Sequence, residues 1–156
     1  MPSRLESEIK QSRPFARKSE EALVSIMRTA AVLDHVFQDA LREFGLTPTQ
    51  YNVLRILRGA GKEGLCGREI GERLISRVPD VSRLLDRMED QGLMTRERDP
   101  EDRRHVTARA TSKGLKLLVE VEPTLRSVEE RFCGALSADA LTDLIATLDA
   151  VRSPGD

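Results

Sequence analysis

The sequence predicts a mainly α-helical chain of the α+β kind, with one small two-stranded hairpin past its middle. Three observations carry this reading. Apolar residues recur at alternating spacings of three and four in a long stretch near the start and in two more near the end. Between them, short segments with the same helical period are separated by glycines at 45, 59, 61, 64 and 92. Two brief stretches without helical period, Leu93 to Arg98 and His105 to Ala110, flank the charged turn sequence Asp99-Pro100-Glu101-Asp102-Arg103. A chain of 156 residues with 39% apolar content is long enough to bury one core.

Residues 1–19 are polar and read as a flexible extension, leaving residues 20–152 as a single unit. From Glu20 to Phe44 there is no Pro or Gly, and Leu23, Ile26, Ala30, Leu33, Phe37, Ala40 and Phe44 form a heptad-like seam on one long helix. Gly45 supplies its stop. Thr47-Pro48-Thr49-Gln50 then combines an N-cap, a first-turn proline and a capping-box glutamine, opening a helix whose buried stripe is Val53, Leu54 and Leu57. A glycine-marked loop leads to a short helix beginning near Cys66.

The next helix is expected from Ser76 or Val78 to Gln91, with Pro79 in its first turn, where its missing N–H removes no intrahelical bond. Val81, Leu84, Leu85 and Met88 fall on one face, while Asp80, Arg83, Asp86, Arg87 and Asp90 point the other way. Gly92 ends it, and the hairpin follows. Thr111 or Ser112 caps a helix carrying Leu118, Val121, Leu125, Val128 and Phe132, which Pro123 is expected to bend. Ser137 caps the last helix, with Leu141, Leu144, Ile145, Leu148 and Val151 on its apolar side.

Composition excludes several function classes. No apolar run approaches the roughly 18 to 20 residues of a membrane span, and the N-terminus has no signal-peptide core, so a cytoplasmic protein is expected. Cys66 and Cys133 lie far apart, and only His35 and His105 accompany them, so neither a structural disulfide nor a metal site is expected. There is no nucleophile-base-acid constellation and no phosphate-cradling glycine loop, which speaks against an enzyme and against a bound cofactor. Net charge is −1, so any basic footprint for nucleic acid must be local. Of the 25 cationic residues 20 are Arg, and every cation from Arg68 to Arg109 is Arg, whose planar fork suits phosphates and guanine edges better than Lys does.

The order of elements is that of a winged helix-turn-helix with long helices at both ends. In such an arrangement one helix enters the major groove of duplex DNA and offers its outward side chains to base edges. Here those are Arg83 and Arg87, one turn apart, with Ser82 at their flank. The residues alone leave a second reading open, an ordinary solvated helix face on which Asp86 and Asp90 pair with Arg83 and Arg87. The seam of the first long helix also has two readings, packing within its own subunit or against a second copy.

The run Val81-Ser82-Arg83-Leu84-Leu85-Asp86-Arg87-Met88-Glu89-Asp90-Gln91-Gly92-Leu93 resembles the recognition helix of the multiple antibiotic resistance regulator (MarR) family. Asp99-Pro100-Glu101-Asp102-Arg103-Arg104 is similar to that family's wing, Thr111-Ser112-Lys113-Gly114 to the start of its next helix, and Gly45-Leu46-Thr47-Pro48-Thr49-Gln50-Tyr51 to the entry of its second helix. The likeness spans roughly Leu23 to Val151 in the same order, which is more specific than any one motif.

The resemblance implies a sequence-specific transcriptional regulator, a repressor acting by occupancy, with residues 47–110 as the DNA-binding lobe and residues 20–44 and 111–152 as dimerisation helices. DNA contacts are expected from Arg77, Pro79, Asp80, Ser82, Arg83, Arg87, Asp102, Arg103 and Arg104. Asp102 and Arg104 match the family's D-x-R wing pattern, in which the arginine reaches into the minor groove. Dimerisation is expected from Leu23, Ile26, Leu33, Phe37, Leu125, Phe132, Leu141, Leu144 and Leu148. The partners implied are double-stranded DNA, a second copy of the chain and a small-molecule effector whose site residues the sequence does not assign. One departure is Cys66, a poor cap where the family has Ser or Thr. Two alternatives remain open, a dimeric winged-helix interaction module that does not read DNA and a redox sensor built on Cys66.

Overall fold

A computed structural model describes residues 3–100 and 105–153. Its elements are α1 (Arg4–Glu8), α2 (Lys18–Arg42), α3 (Pro48–Ala60), β1 (Leu65–Cys66), α4 (Gly67–Arg73), α5 (Val81–Asp90), β2 (Met94–Arg98), β3 (Val106–Ala110), α6 (Ser112–Cys133) and α7 (Ala138–Arg152). The fold is a winged helix with long helices before and after the lobe.

Local chemistry sets most boundaries. Gly45, at φ 67°, lets the chain reverse after α2, so that the Gly45 N–H reaches the Arg42 carbonyl at 3.0 Å and the Leu46 N–H the Leu41 carbonyl at 3.2 Å. The start of α3 is the expected capping box: the Gln50 N–H donates to Thr47 Oγ1 at 3.2 Å and the Thr47 N–H to Gln50 Oε1 at 3.0 Å. Thr111 caps α6, accepting from the Gly114 N–H at 3.1 Å, and Ser137 caps α7. Leu41, Val53, Leu54, Leu57, Ile70, Met88, Met94, Leu118 and Val121 meet in one core shared by α2, the helices and sheet between, and α6.

The hairpin is not alone. β1 adds to it, giving a three-stranded antiparallel sheet of order β1-β3-β2, with Leu65 opposite Ala108 and Cys66 opposite Thr107. Gly64 makes this approach feasible: it sits at φ 68°, and a Cβ there would lie 2.5 Å from the Ala108 carbonyl. The expected extension, residues 1–19, contains α1, whose buried Glu6 accepts the backbone N–H groups of Ser3 at 2.6 Å and Phe15 at 3.2 Å. Helix α6 runs through Pro123 as one element.

The start of α5 differs from the sequence expectation. The helix begins at Val81, and Pro79 lies before its cap instead of in its first turn. Asp80 is the reason: its carboxylate accepts the Arg83 N–H at 2.9 Å, making it the N-cap, and residues N-terminal to a cap lie outside the helix. At α4 the weak cap Cys66 is compensated by Glu69, whose carboxylate accepts the Cys66 N–H at 2.8 Å. That bond, first of all, holds the Glu69 carboxyl below its ordinary range.

Candidate nucleic-acid interface

The apolar face of α5 fixes which side chains point outward. Leu84, Leu85 and Met88 are buried, and the geometry of a helix then exposes Ser82, Arg83, Asp86, Arg87 and Asp90 together. Both ends of the helix are tied down. Asp80 caps the start. At the other end the Gln91 carbonyl accepts from Lys113 Nζ at 2.6 Å, and Gln91 Oε1 accepts from Gln50 Nε2 at 2.9 Å. Gln50 is buried in this double duty, cap of α3 and brace of α5, and only the first role is legible from its position in a capping box.

The turn before α5 is braced as well, by the Ile75 N–H donating to Asn52 Oδ1 at 2.9 Å. Arg77 and Pro79 are exposed beside it. An open groove of about 820 Å³ runs along α4, this turn and the start of α5, lined among others by Arg68, Ile75, Arg77, Val81 and Ser82. Ile75 is 84% exposed at its edge.

The acids of α5 are where the two readings of this face divide. Asp86 does not pair with Arg83 or Arg87; its carboxylate accepts from Arg96 on β2 at 2.6 Å. Glu89 takes the same guanidinium through Nε at 2.9 Å and Nη2 at 2.6 Å, and also accepts the Arg96 backbone N–H at 2.9 Å. This hydrogen bonding holds the Glu89 carboxyl below the usual carboxylate range and the Arg96 guanidinium above its own. Arg77, Arg83 and Arg87 form no ion pair with any described residue. Among the described residues, the helix therefore presents unpaired arginines to solvent.

In the sheet, Arg109 donates to Glu97 at 2.8 Å and to the Lys62 carbonyl at 2.6 Å, tying the wing to the loop after α3. Asp102, Arg103 and Arg104, the expected wing contacts, lie outside the described residues. Arg96 is absent from the contacts that the sequence suggests. The signal for it is the spacing of Asp86 and Glu89, two acids one turn apart with no cation at i+4 to meet both.

The residues expected to dimerise divide into three groups. Leu125 is buried in the chain's own core and Phe37 packs partly buried against it, because α2 and α6 lie on each other over their lobe-proximal halves. Leu23 and Leu144 are exposed, together with Met27, Ile145 and Val151. Ile26, Leu33, Phe132, Leu141 and Leu148 are half-buried. No residue of α7 is buried, although its sequence is amphipathic. No described helix is long and apolar enough to cross a membrane.

Comparison with known proteins agrees with this architecture. The MarR family model matches residues 46–106, the stretch from the turn before α3 to the first residue of β3. YkoM, a helix-turn-helix-type transcriptional regulator of Bacillus subtilis, is 34% identical over 139 residues, covering 86% of this chain and 88% of its own. The chain belongs to the MarR family. A MarR transcription factor from Planctomyces limnophilus is 38% identical, with a TM-score of 0.68, covering 86% of this chain and 98% of its own. The transcriptional repressor CouR, solved on a 23-mer DNA duplex, is 26% identical with a TM-score of 0.78, covering 92% of this chain and all of its own (100%). This MarR-family chain is accordingly a DNA-binding transcriptional regulator of winged-helix fold.

Proposed function

We propose that the chain acts as a homodimer that binds a pseudo-palindromic operator sequence-specifically and represses transcription by occupying it. The observation that carries this reading is the outward face of α5, where Arg83 and Arg87 stand unpaired among the described residues while Asp86 and Glu89 are held by Arg96. In the major groove Arg83 and Arg87 reach base edges, and Ser82 and Asp80 flank them. Arg77 and Pro79, at the turn before the cap, lie against the phosphate backbone. Asp102, Arg103 and Arg104, between β2 and β3 in the sequence, carry the family's D-x-R pattern and contact the adjacent minor groove in this reading, where Arg104 reads width and potential.

Two copies join through the exposed apolar side chains of α2 and α7, chiefly Leu23, Leu144 and Ile145, with Leu141 and Leu148 beside them. Two-fold symmetry sets the half-sites about one helical turn, roughly 10 to 10.5 base pairs, apart. Residues 20–44 and 111–152 thus serve dimerisation and residues 47–110 bind DNA. A small-molecule effector that prefers one spacing of the two lobes releases the operator. The chain works in the cytoplasm and acts by binding, not by catalysis.

The test is binding to a labelled fragment from upstream of the protein's own gene, against excess unlabelled random duplex, across a salt series. Retention with footprint protection of a pseudo-palindrome is expected. Failure to bind either duplex at low salt overturns the reading.

A further inference from the structure

We propose that Arg96 is a positioning residue for DNA recognition: from the wing strand it withdraws the Asp86 carboxylate from Arg83, keeping that guanidinium free for DNA. The inference rests on the DNA-binding reading above and deepens it.

The argument starts from spacing. Asp86 is three residues after Arg83 on the same exposed face, a separation at which opposite charges on a helix meet. Left to itself, such a pair ties up an arginine and puts a negative charge beside the incoming phosphates. In the folded chain Asp86 instead lies 2.6 Å from Arg96, ten residues away and on another element. Arg96 can do this because it is itself immobilised. Glu89 receives two side-chain bonds from its guanidinium and one from its backbone N–H, which fixes where β2 runs relative to α5. The Arg96 side chain is 27% exposed and that of Asp86 57%, so the carboxylate, though on the outward face, is held by a half-buried guanidinium on the sheet and not by an arginine of its own helix. Glu89 sets the place of Arg96, and Arg96 sets the place of Asp86.

This separates Arg96 from an ordinary structural ion pair, because its effect on DNA should run through the charge of Asp86. A double-mutant cycle on DNA binding reads that coupling. The four proteins are the wild type, Asp86→Asn, Arg96→Gln and the double variant, each titrated against a labelled mixed-sequence duplex at low salt and each checked by thermal melting. Asp86→Asn alone is expected to leave affinity within about twofold, since its charge is already sequestered. Arg96→Gln is expected to weaken binding roughly tenfold, as released like charge meets phosphate. Adding Asp86→Asn to Arg96→Gln should recover most of that loss without restoring the melting temperature.

Equal effects of Asp86→Asn in both backgrounds would overturn the proposal while leaving DNA binding intact, as would unchanged affinity in Arg96→Gln. No binding by the wild type to this duplex would overturn both. If Arg96→Gln does not fold, Arg96→Lys takes its place in the cycle: an ammonium cannot span Glu89 and Asp86 in the planar two-sided way, so the same non-additivity is expected at smaller size.

Discussion

The lobe from α3 to β3 and the terminal helix α7 are both built from amphipathic sequence, yet they end in opposite conditions. The lobe closes a core together with Leu41 of α2 and Leu118 and Val121 of α6: Val53, Leu54, Ile70, Met88 and Met94 are all fully shielded from solvent. In α7 nothing is buried, and Leu144, Ile145 and Val151 remain open. An apolar stripe needs a facing surface. The lobe finds one among its three helices, its sheet and the adjoining parts of α2 and α6, whereas among the described residues α7 buries no side chain against the chain, and in the homodimer proposed above its stripe meets a second copy. The difference teaches which part of this protein holds the chain's own core and which part carries the apolar face assigned here to the proposed interface.

Substitutions can break that contrast if it is wrong. Leu54→Ala, in the lobe, removes a side chain with no exposure from the centre of the core and should cost about 2–5 kcal/mol in denaturant unfolding. The same truncation at Ile145, 60% exposed, should leave unfolding of a dilute, monomeric sample unchanged. A charge there acts differently. Leu144→Asp with Ile145→Asp should shift the mass measured by light scattering from dimer to monomer and weaken operator binding, while far-ultraviolet circular dichroism of the lobe persists. A dimer that survives this pair of charges would place the interface elsewhere.

A smaller effect sharpens the boundary between the two regions. Thr111 sits at the junction, where Oγ1 accepts the Gly114 N–H at 3.1 Å and donates to the Gly92 carbonyl at 2.7 Å, so one hydroxyl ties the end of α5 to the start of α6. Thr111→Ala should lose about 1 kcal/mol as a missing cap and show it in thermal melting. Thr111→Ser, which keeps the oxygen, should recover most of that.

Features that depend on near neighbours along the chain are legible in the amino-acid sequence. The caps at Thr47, Thr111 and Ser137, the stops at Gly45 and Gly92, and the two faces of α5 all follow from residues within one or two turns of each other. Features that depend on distant partners are not. β1 is two residues long and has no period to detect; it exists because β3 offers an edge and Gly64 permits the approach. Leu125 and Leu144 both read as dimerisation residues, and only the docking of α6 on α2 puts the first in the chain's own core. At Pro79 two start signals compete, and the side chain of Asp80 outweighs the proline's preference for a first turn. Arg96 belongs with the distant partners: its acids are seven and ten residues away across a turn.

The smallest expected effect concerns acid. Glu89 has its carboxyl held below the ordinary value of 4.5, chiefly by the side-chain bond from Arg96. A group depressed in the folded state stabilises it fully above its unfolded value, and the contribution disappears as pH falls through the folded value. Glu89→Gln removes that dependence while keeping an oxygen for the Arg96 backbone N–H. Wild type and variant should therefore differ by at most about 1 kcal/mol at neutral pH, the ceiling for an ion pair reached by solvent, and converge as the pH drops below 4.5. Because this contact lies wholly within the lobe, the convergence should be independent of protein concentration. If the gap between the two proteins instead tracked the monomer–dimer equilibrium, the contact between α5 and β2 would be coupled to association and the division between core and apolar terminal face would fail.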